Sequence, residues 1–304
     1  MLQQTQVATV IPYYHRFLKA LPTLRALAEA PIETVLSLWS GLGYYSRARN
    51  LQKGAQYLVE KFDGEFPRTR AEIEEVPGIG PYTAGAILSI AFDLPEALVD
   101  GNVQRVFARY FGIQTEIEKK ETQALFWKHA ADWVKRAESP RVLNQALMEL
   151  GAMICTKGSP RCDLCPLAKT CVALAQGLQD ELPRRKARRK AVDLWWQGFV
   201  VEKSGKIFLR KNREGEWWTD LWDFPTIAVE SAKAWEKPPT FRARPLATQK
   251  HTVTHHRIHV APYHVPHGGG LPLALEAGRW FSVEETRKLP LSSLARKVLE
   301  AYLC

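Results

Sequence analysis

The sequence predicts two domains of different class, an all-α domain followed by a mixed α+β domain. Three observations carry this. From Gln3 to about Ala175, apolar residues recur at three- and four-residue spacings with little strand alternation. A run dense in like charge, Pro183-Arg184-Arg185-Lys186-Ala187-Arg188-Arg189-Lys190, then interrupts the pattern. Beyond it the texture changes to strand-like runs such as Leu194 to Glu202. At 304 residues the chain can bury two cores, given roughly 150 residues per domain. The expected division is 1–176 for the helical domain, 177–192 for an exposed basic linker and 193–304 for the α+β domain.

Helices are expected near Gln3 to Leu18, Thr23 to Ala30, Ile32 to Leu38 and Arg47 to Lys61, separated by Pro22, Pro31 and the Gly41-Leu42-Gly43 turn. Further helices run from Asn102 to Tyr110, Glu121 to Arg136 and Arg141 to Ile154. In the second domain, Leu194 to Glu202 and Ile207 to Lys211 flank Ser204-Gly205 as a hairpin. Alternation at His251 to Val260 predicts one more strand. Ser282-Val283-Glu284-Glu285 is a capping box before a short helix, and Ser292 to Leu303 is a closing helix.

Forty-two Lys and Arg against 32 Asp and Glu leave a formal charge of +10, which makes a polyanion the first partner to consider. The ten tryptophans suit either base stacking or core packing. No apolar run approaches the roughly 18 residues that span a bilayer, so no membrane partner is expected. The first residues lack the basic and apolar regions of a secretory signal, and a cytoplasmic location is expected.

Val76-Pro77-Gly78-Ile79-Gly80-Pro81-Tyr82 lies between two helical segments, where Gly78 and Gly80 let the backbone turn tightly with its amides exposed. Such amides hold a DNA phosphate without reading sequence; a plain helix–turn–helix connection is the alternative. Asp100 precedes the helical stretch from Asn102 and, read alone, is a helix cap. Four of the five cysteines, Cys155, Cys162, Cys165 and Cys171, fall within 17 residues in the spacing Cys-x6-Cys-x2-Cys-x5-Cys. In a reducing compartment that crowding points to a metal site rather than to disulfides. On ligand count alone, zinc and an iron–sulfur cube are equally open.

The hairpin, an aspartate about twenty residues on, and a following cysteine cluster together resemble the helix-hairpin-helix DNA glycosylases of the endonuclease III superfamily. Within them, the chain resembles the adenine glycosylases that act opposite 8-oxoguanine. The likeness runs from Met1 to about Ala175 through Met1-Leu2-Gln3-Gln4-Thr5-Gln6-Val7, Gly41-Leu42-Gly43-Tyr44-Tyr45-Ser46-Arg47-Ala48-Arg49-Asn50, the hairpin, Val99-Asp100-Gly101-Asn102-Val103 and Gly151-Ala152-Met153-Ile154-Cys155. This resemblance implies a [4Fe-4S] cluster on Cys155, Cys162, Cys165 and Cys171. It implies that Asp100 stabilises the oxocarbenium-like centre left by a flipped-out adenosine, with Asn102 as its polar support. Tyr82 stands where bifunctional relatives carry a Schiff-base lysine, so hydrolysis of the base without strand cleavage is expected. Gln4, Thr5, Leu42 and Tyr44 match positions around the lesion pair, with Tyr44 wedged into the base stack, and Gln145 would sit beside the adenine.

The second domain resembles the family's Nudix-like lesion-recognition module through Trp218-Thr219-Asp220-Leu221-Trp222-Asp223-Phe224-Pro225 and His251-Thr252-Val253-Thr254-His255. The Gly-x5-Glu-x7-Arg-Glu-x-x-Glu-Glu box that binds Mg²⁺ for pyrophosphate hydrolysis is absent, so the module is expected to read rather than cut. Thr254 keeps a hydroxyl for oxidised guanine beside His255, although Val253 replaces the family's aromatic residue. The alternative for His255, His256 and His259 is an exposed strand face. The family's general acid is a glutamate two residues before the methionine aligned with Met1, so either Met1 is an internal methionine of a longer chain or the chain is an N-terminally truncated form, and this polypeptide alone is expected to excise adenine poorly while still binding lesion DNA.

The implied partner is duplex DNA with 8-oxoguanine:adenine or guanine:adenine mismatches, bound by a monomer, nucleoid-associated if bacterial. Two alternatives are an endonuclease III-like glycosylase and lyase, and a catalytically silent lesion-binding protein.

Overall fold

The computed structural model describes residues 1–187, 190–270, 275 and 278–304; Arg188 and Arg189 of the basic run lie outside the described residues. Among the described residues, no helix is long and apolar enough to cross a membrane. The chain forms two compact units, Met1–Gln56 with Arg189–Cys304, and Tyr57–Arg188. This grouping differs from the division at 176 and 193 read from sequence, because residues 1–56 are bonded to the C-terminal stretch. The Tyr45 hydroxyl donates to Leu291 O (3.3 Å) and Ser37 Oγ to Lys288 O (2.9 Å). Lys211 pairs with Glu33 at 2.7 Å, and Arg49 donates to Thr219 O at 2.8 Å.

The first helices are α1 (Val7–Ala20), α2 (Leu24–Glu29), α3 (Ile32–Trp39) and α4 (Ser46–Phe62). α1 starts later than its apolar pattern because Gln4 takes a left-handed φ of 57° and Gln6 is the extended N-cap. Thr23 caps α2 by accepting from Ala26 N at 3.1 Å.

The helical unit continues with α5 (Arg70–Glu74), α6 (Pro81–Ala86), α7 (Gly101–Tyr110), α8 (Lys120–Val134), α9 (Pro140–Glu149) and α10 (Val172–Ala175). α6 and α9 each run on into a wider π turn, Ile87–Ala91 and Leu150–Ile154. Val103, Val106 and Phe107 of α7 lie on one face and pack with Leu98, Phe126, Ala130, Val134 and Leu147. Each large side chain so buried contributes about 1.5–3 kcal/mol, which anchors α7 in the unit. The basic segment is not loose along its whole length. Leu182 is buried, its carbonyl accepts from Arg109 Nε (2.9 Å), and Ile117 N donates to Arg184 O (3.0 Å), while the side chains of 184–187 stay exposed.

The α+β part is built on one mixed sheet. Its strands are β1 (Val192–Lys203), β2 (Lys206–Lys211), β3 (Trp222–Asp223), β4 (Thr226–Val229), β5 (Arg244–Pro245), β6 (Gln249–Val253), β7 (His256–Pro266) and β8 (Gly278–Ser282). The path runs β3-β2-β1-β7-β5, with β4 on β1, β6 on β7 and β8 on β2. β1 and β7 pair in parallel from Val192↔His256 to Glu202↔Pro266. Ser204 (φ 50°) and Gly205 (φ 73°) turn the predicted hairpin, both in the left-handed region that matches strand twist. Helices α11 (Ala232–Glu236), α12 (Val283–Lys288) and α13 (Ser293–Leu303) complete this part. Leu294, Val298 and Leu299 of α13 cover Val200, Ile207, Leu209, Ile258 and Val260. The Ser282–Glu285 capping box forms with both of its bonds.

One strand expectation is corrected. His251 to Val260 is not a single strand but a β6–β7 hairpin, reversed at Thr254 and His255. Thr254 adopts φ 55°, a left-handed conformation that hydrophobic alternation cannot signal.

Asp223 lies buried in β3, where burial pushes its carboxyl up to about 6; bonds from Ser292, Phe224 N and Asn212 and the charge of Arg210 only partly offset this. A carboxyl raised in the folded state holds its proton better folded than unfolded. Its contribution therefore favours the fold below about pH 4 and fades as pH rises through 6. Between those limits, the wild-type chain is predicted to lose about 2–3 kcal/mol of stability that Asp223→Asn does not lose. Tryptophan-monitored urea unfolding of both chains at several pH values checks this; parallel curves would refute it.

Candidate active site

Asp100 is the N-cap of α7, as its sequence setting suggests. Its Oδ1 accepts from the backbone N–H of Asn102 (2.9 Å) and Val103 (2.7 Å), and its Oδ2 accepts from Asn102 Nδ2 (3.0 Å). Three donors and the positive end of a ten-residue helix hold the carboxylate in one orientation.

The bonds continue away from the carboxylate. Asn102 Oδ1 accepts from Arg105 (2.8 Å), which also donates to Gly151 O (2.5 Å) and to Cys155 O through Nε (2.7 Å). One turn on, Arg109 donates to Cys155 Sγ (3.2 Å) and Thr156 O (2.9 Å). A continuous chain of hydrogen bonds thus joins Asp100 to the first cysteine. Sequence reasoning missed both arginines, although a signal existed: two cations four residues apart on a helix whose face is otherwise apolar need buried acceptors. Gly151 makes the close approach possible, since a Cβ there would lie 2.6 Å from Asn102 Cβ.

Tyr82 is half-buried against the helical core, and its hydroxyl donates to Met148 Sδ at 3.7 Å. Burial, and then the charge of Asp100, push its phenol above the ordinary range. Tyr82 therefore lies within electrostatic reach of the carboxylate and also packs its ring against the core. In the hairpin between α5 and α6, Gly78 takes φ 87° and supplies the turn. Gly80 does not share that role: its φ of −98° is open to any residue, and its place is the N-cap before Pro81. Gln145 is half-buried on α9 and donates to Arg141 O (3.4 Å).

Cys155, Cys162, Cys165 and Cys171 line one partly open cavity, together with Arg109, Tyr110, Leu167 and Leu174. None is in a disulfide. Burial first, and then the neighbouring thiols, push Cys162 up; burial does the same to Cys165, with Cys155 and Cys171 adding to it. Among the described residues, no group of three or more His, Cys, Asp or Glu side chains closes as it would around one ion. Four thiols around a single cavity nevertheless fit the donor set of a cluster that needs thiolates at separate corners.

The remaining expected residues lie in the other unit. Gln4 and Tyr44 are exposed and left-handed (φ 57° and 47°), Leu42 is buried, and Thr5 is half-buried. Thr254 is exposed at the β6–β7 turn, with its hydroxyl 3.4 Å from His255 Nδ1. The histidines here do not form a bare strand face: His256 packs edge-on to Trp217 at 5.2 Å, and His259 stacks on Trp195 while bonding Asp193 at 2.7 Å.

Comparison with known proteins adds the following. Residues 1–132 match the family described as HhH-GPD superfamily base excision DNA repair protein, and residues 197–301 match the NUDIX domain. The adenine DNA glycosylase of Buchnera aphidicola subsp. Baizongia pistaciae is 38% identical over 267 residues, covering 86% of this chain and 75% of that protein. The adenine DNA glycosylase of Rattus norvegicus is 35% identical over 361 residues, covering 99% of this chain and 70% of that one. Among solved structures, a thermostable thymine-DNA glycosylase is similar with a TM-score of 0.53 at 29% identity, over 58% of this chain and 80% of that chain.

The close packing of Gly151 on Asn102 yields a paired prediction. Gly151→Ala should destabilise the protein by about 1–3 kcal/mol through overpacking. Gly80→Ala, whose added Cβ meets nothing within 4 Å, should cost less than about 1 kcal/mol. Thermal unfolding of the two variants decides it; equal losses would show that the Asn102 contact carries no strain.

Proposed function

This chain belongs to the adenine DNA glycosylase family, and from that premise we propose that it hydrolyses the N-glycosidic bond of adenine mispaired with 8-oxoguanine or guanine, after the adenosine is turned out of the duplex. The observation that carries the reading is the Asp100 carboxylate, fixed by Asn102 and Val103 at the start of α7. As the bond to adenine breaks, positive charge grows on the sugar, and a carboxylate that is already oriented stabilises it without reorganising. Asn102 holds Oδ2 in that orientation, and Arg105 holds Asn102. Tyr82, a phenol held up by burial and by Asp100, does not supply an amine for a Schiff base, which supports base removal without strand cleavage.

Gly78 and Gly80 offer hairpin amides to a backbone phosphate. Gln145 faces the adenine in this reading; Gln4, Thr5, Leu42 and Tyr44 contact the lesion pair. The exposed Tyr44 ring fills the gap left by the flipped base and offsets part of the few kcal/mol that unstacking costs. Thr254 and His255 read oxidised guanine from the β6–β7 turn. The formal charge of +10 suits a polyanionic duplex. Residues 1–176 make the glycosylase domain, 177–192 the linker and 193–304 the lesion-recognition domain; the family matches at 1–132 and 197–301 support this. The protein acts as a monomer, wherever the cell keeps its DNA.

The four cysteines would hold a [4Fe-4S] cluster, which supplies no step of the hydrolysis and instead pins the loop from Cys155 to Cys171. Arg109 and Arg105 would transmit that rigidity to Asn102.

Purified protein should contain about four iron and four sulfide per chain; stoichiometric zinc would overturn the cluster assignment. Single-turnover adenine release from an 8-oxoguanine:adenine duplex should fall at least about 10²-fold in Asp100→Asn. Borohydride should trap no adduct with the DNA. An unchanged rate in Asp100→Asn would refute the role of the carboxylate, and a trapped adduct would refute simple hydrolysis.

A further inference from the structure

We infer that Arg47 is the positioning residue for the lesion contacts of residues 1–5 and 41–44, an inference that rests on the lesion-contact role proposed above. Arg47 lies on the first turn of α4, and its guanidinium reaches two separate pieces of chain. One terminal nitrogen donates to Met1 O at 2.9 Å and also to Gln3 O. The other donates to Thr5 Oγ1 (3.3 Å), Leu42 O (3.1 Å) and Gly43 O (3.1 Å). Five acceptors on two segments meet at one side chain. Neither segment has regular secondary structure to hold it.

Both segments need such support. Tyr44 and Gln4 are left-handed, and non-glycine residues in that region cost on the order of 1–3 kcal/mol unless the surroundings over-determine them. Beneath Tyr44 the Arg47 guanidinium sits 5.6 Å from the phenol ring and 5.3 Å from the Trp39 ring, so the cation braces the face of the exposed aromatic. Trp39 Nε1 donates to Gly43 O (3.2 Å), and Arg47 N donates to Tyr44 O (2.9 Å), closing the turn from below. Arg47 Nε is buried without a partner, so the fork is spent on the terminal nitrogens.

The geometry demands a planar fork rather than a charge. A lysine ammonium is a single point and cannot reach five acceptors on both segments. Arg47→Lys therefore keeps the charge and removes the bracing. Arg47 needs no contact with DNA for this; it acts through Thr5, Leu42 and Tyr44.

The test compares the wild-type chain with Arg47→Lys in two measurements. Amide hydrogen exchange of the free proteins reads the positioning directly. Exchange of residues 1–6 and 41–46 should quicken in the variant, while iron content and the exchange of α7 and of the sheet stay as in wild type. Unchanged exchange in the two segments would overturn the inference. The second measurement is affinity for a duplex carrying 8-oxoguanine opposite an uncleavable adenosine analogue, against the matched undamaged duplex. The preference for the lesion should fall about ten- to a hundredfold in Arg47→Lys, the scale of one lost charge-assisted hydrogen bond, with undamaged binding retained. If wild type shows no preference, the lesion-contact reading fails by itself, and the exchange data still decide the positioning. If wild type discriminates and Arg47→Lys discriminates equally well, the inference fails and the reading survives.

Discussion

The constraint on which the helical unit depends is the satisfaction of buried charge along α7. A half-buried carboxylate at its start and two buried guanidiniums on its body must each find partners, or the buried charges cost several kcal/mol. The structure meets this need in one line. Asp100 is bound by Asn102 and Val103, Asn102 by Arg105, and Arg105 and Arg109 by the backbone and sulfur of the cysteine loop. The same bonds that satisfy these charges fix the orientation of the Asp100 carboxylate. They depend on close packing: Gly151 must be small so that the loop can approach Asn102, and the loop must be in place so that Arg105 has acceptors.

The sheet unit solves a different problem. It matches the NUDIX domain, yet the carboxylate set that would hold Mg²⁺ for pyrophosphate chemistry is missing from its sequence. The β6–β7 reversal is tied to the start of β1, where Val192 N donates to His255 O at 2.8 Å, and it is flanked by Trp217 on His256 and Trp218 on His251. Trp196, Trp218 and Trp222 pack against the core of this unit, while Trp217 stays exposed.

How much of this could be read from the amino acids depends on the range of the interaction. The α1, α4 and α8 helices, the hairpin at Ser204-Gly205 and the Ser282 capping box follow from local rules of period, turn chemistry and capping, and they appear within a few residues of their expected bounds. The cysteine spacing marked four residues that line one cavity, and α7 brought its capping aspartate with it. The β6–β7 turn was hidden because a threonine at φ 55° leaves no mark on hydrophobic alternation. Gly80 was credited with a turn that Gly78 alone makes.

The sequence by itself determined the longer helices, the Ser204-Gly205 hairpin, the order of two textures, the four-cysteine spacing and the family resemblance, because each is written in residues near one another along the chain. Only the tertiary structure decided that residues 1–56 group with the C-terminal stretch, that Arg105 and Arg109 link Asp100 to Cys155, and that Arg47 gathers Met1, Gln3, Thr5, Leu42 and Gly43. A guanidinium or a hydroxyl can satisfy itself with any acceptor in reach, and which acceptor is in reach is settled by packing rather than by spacing.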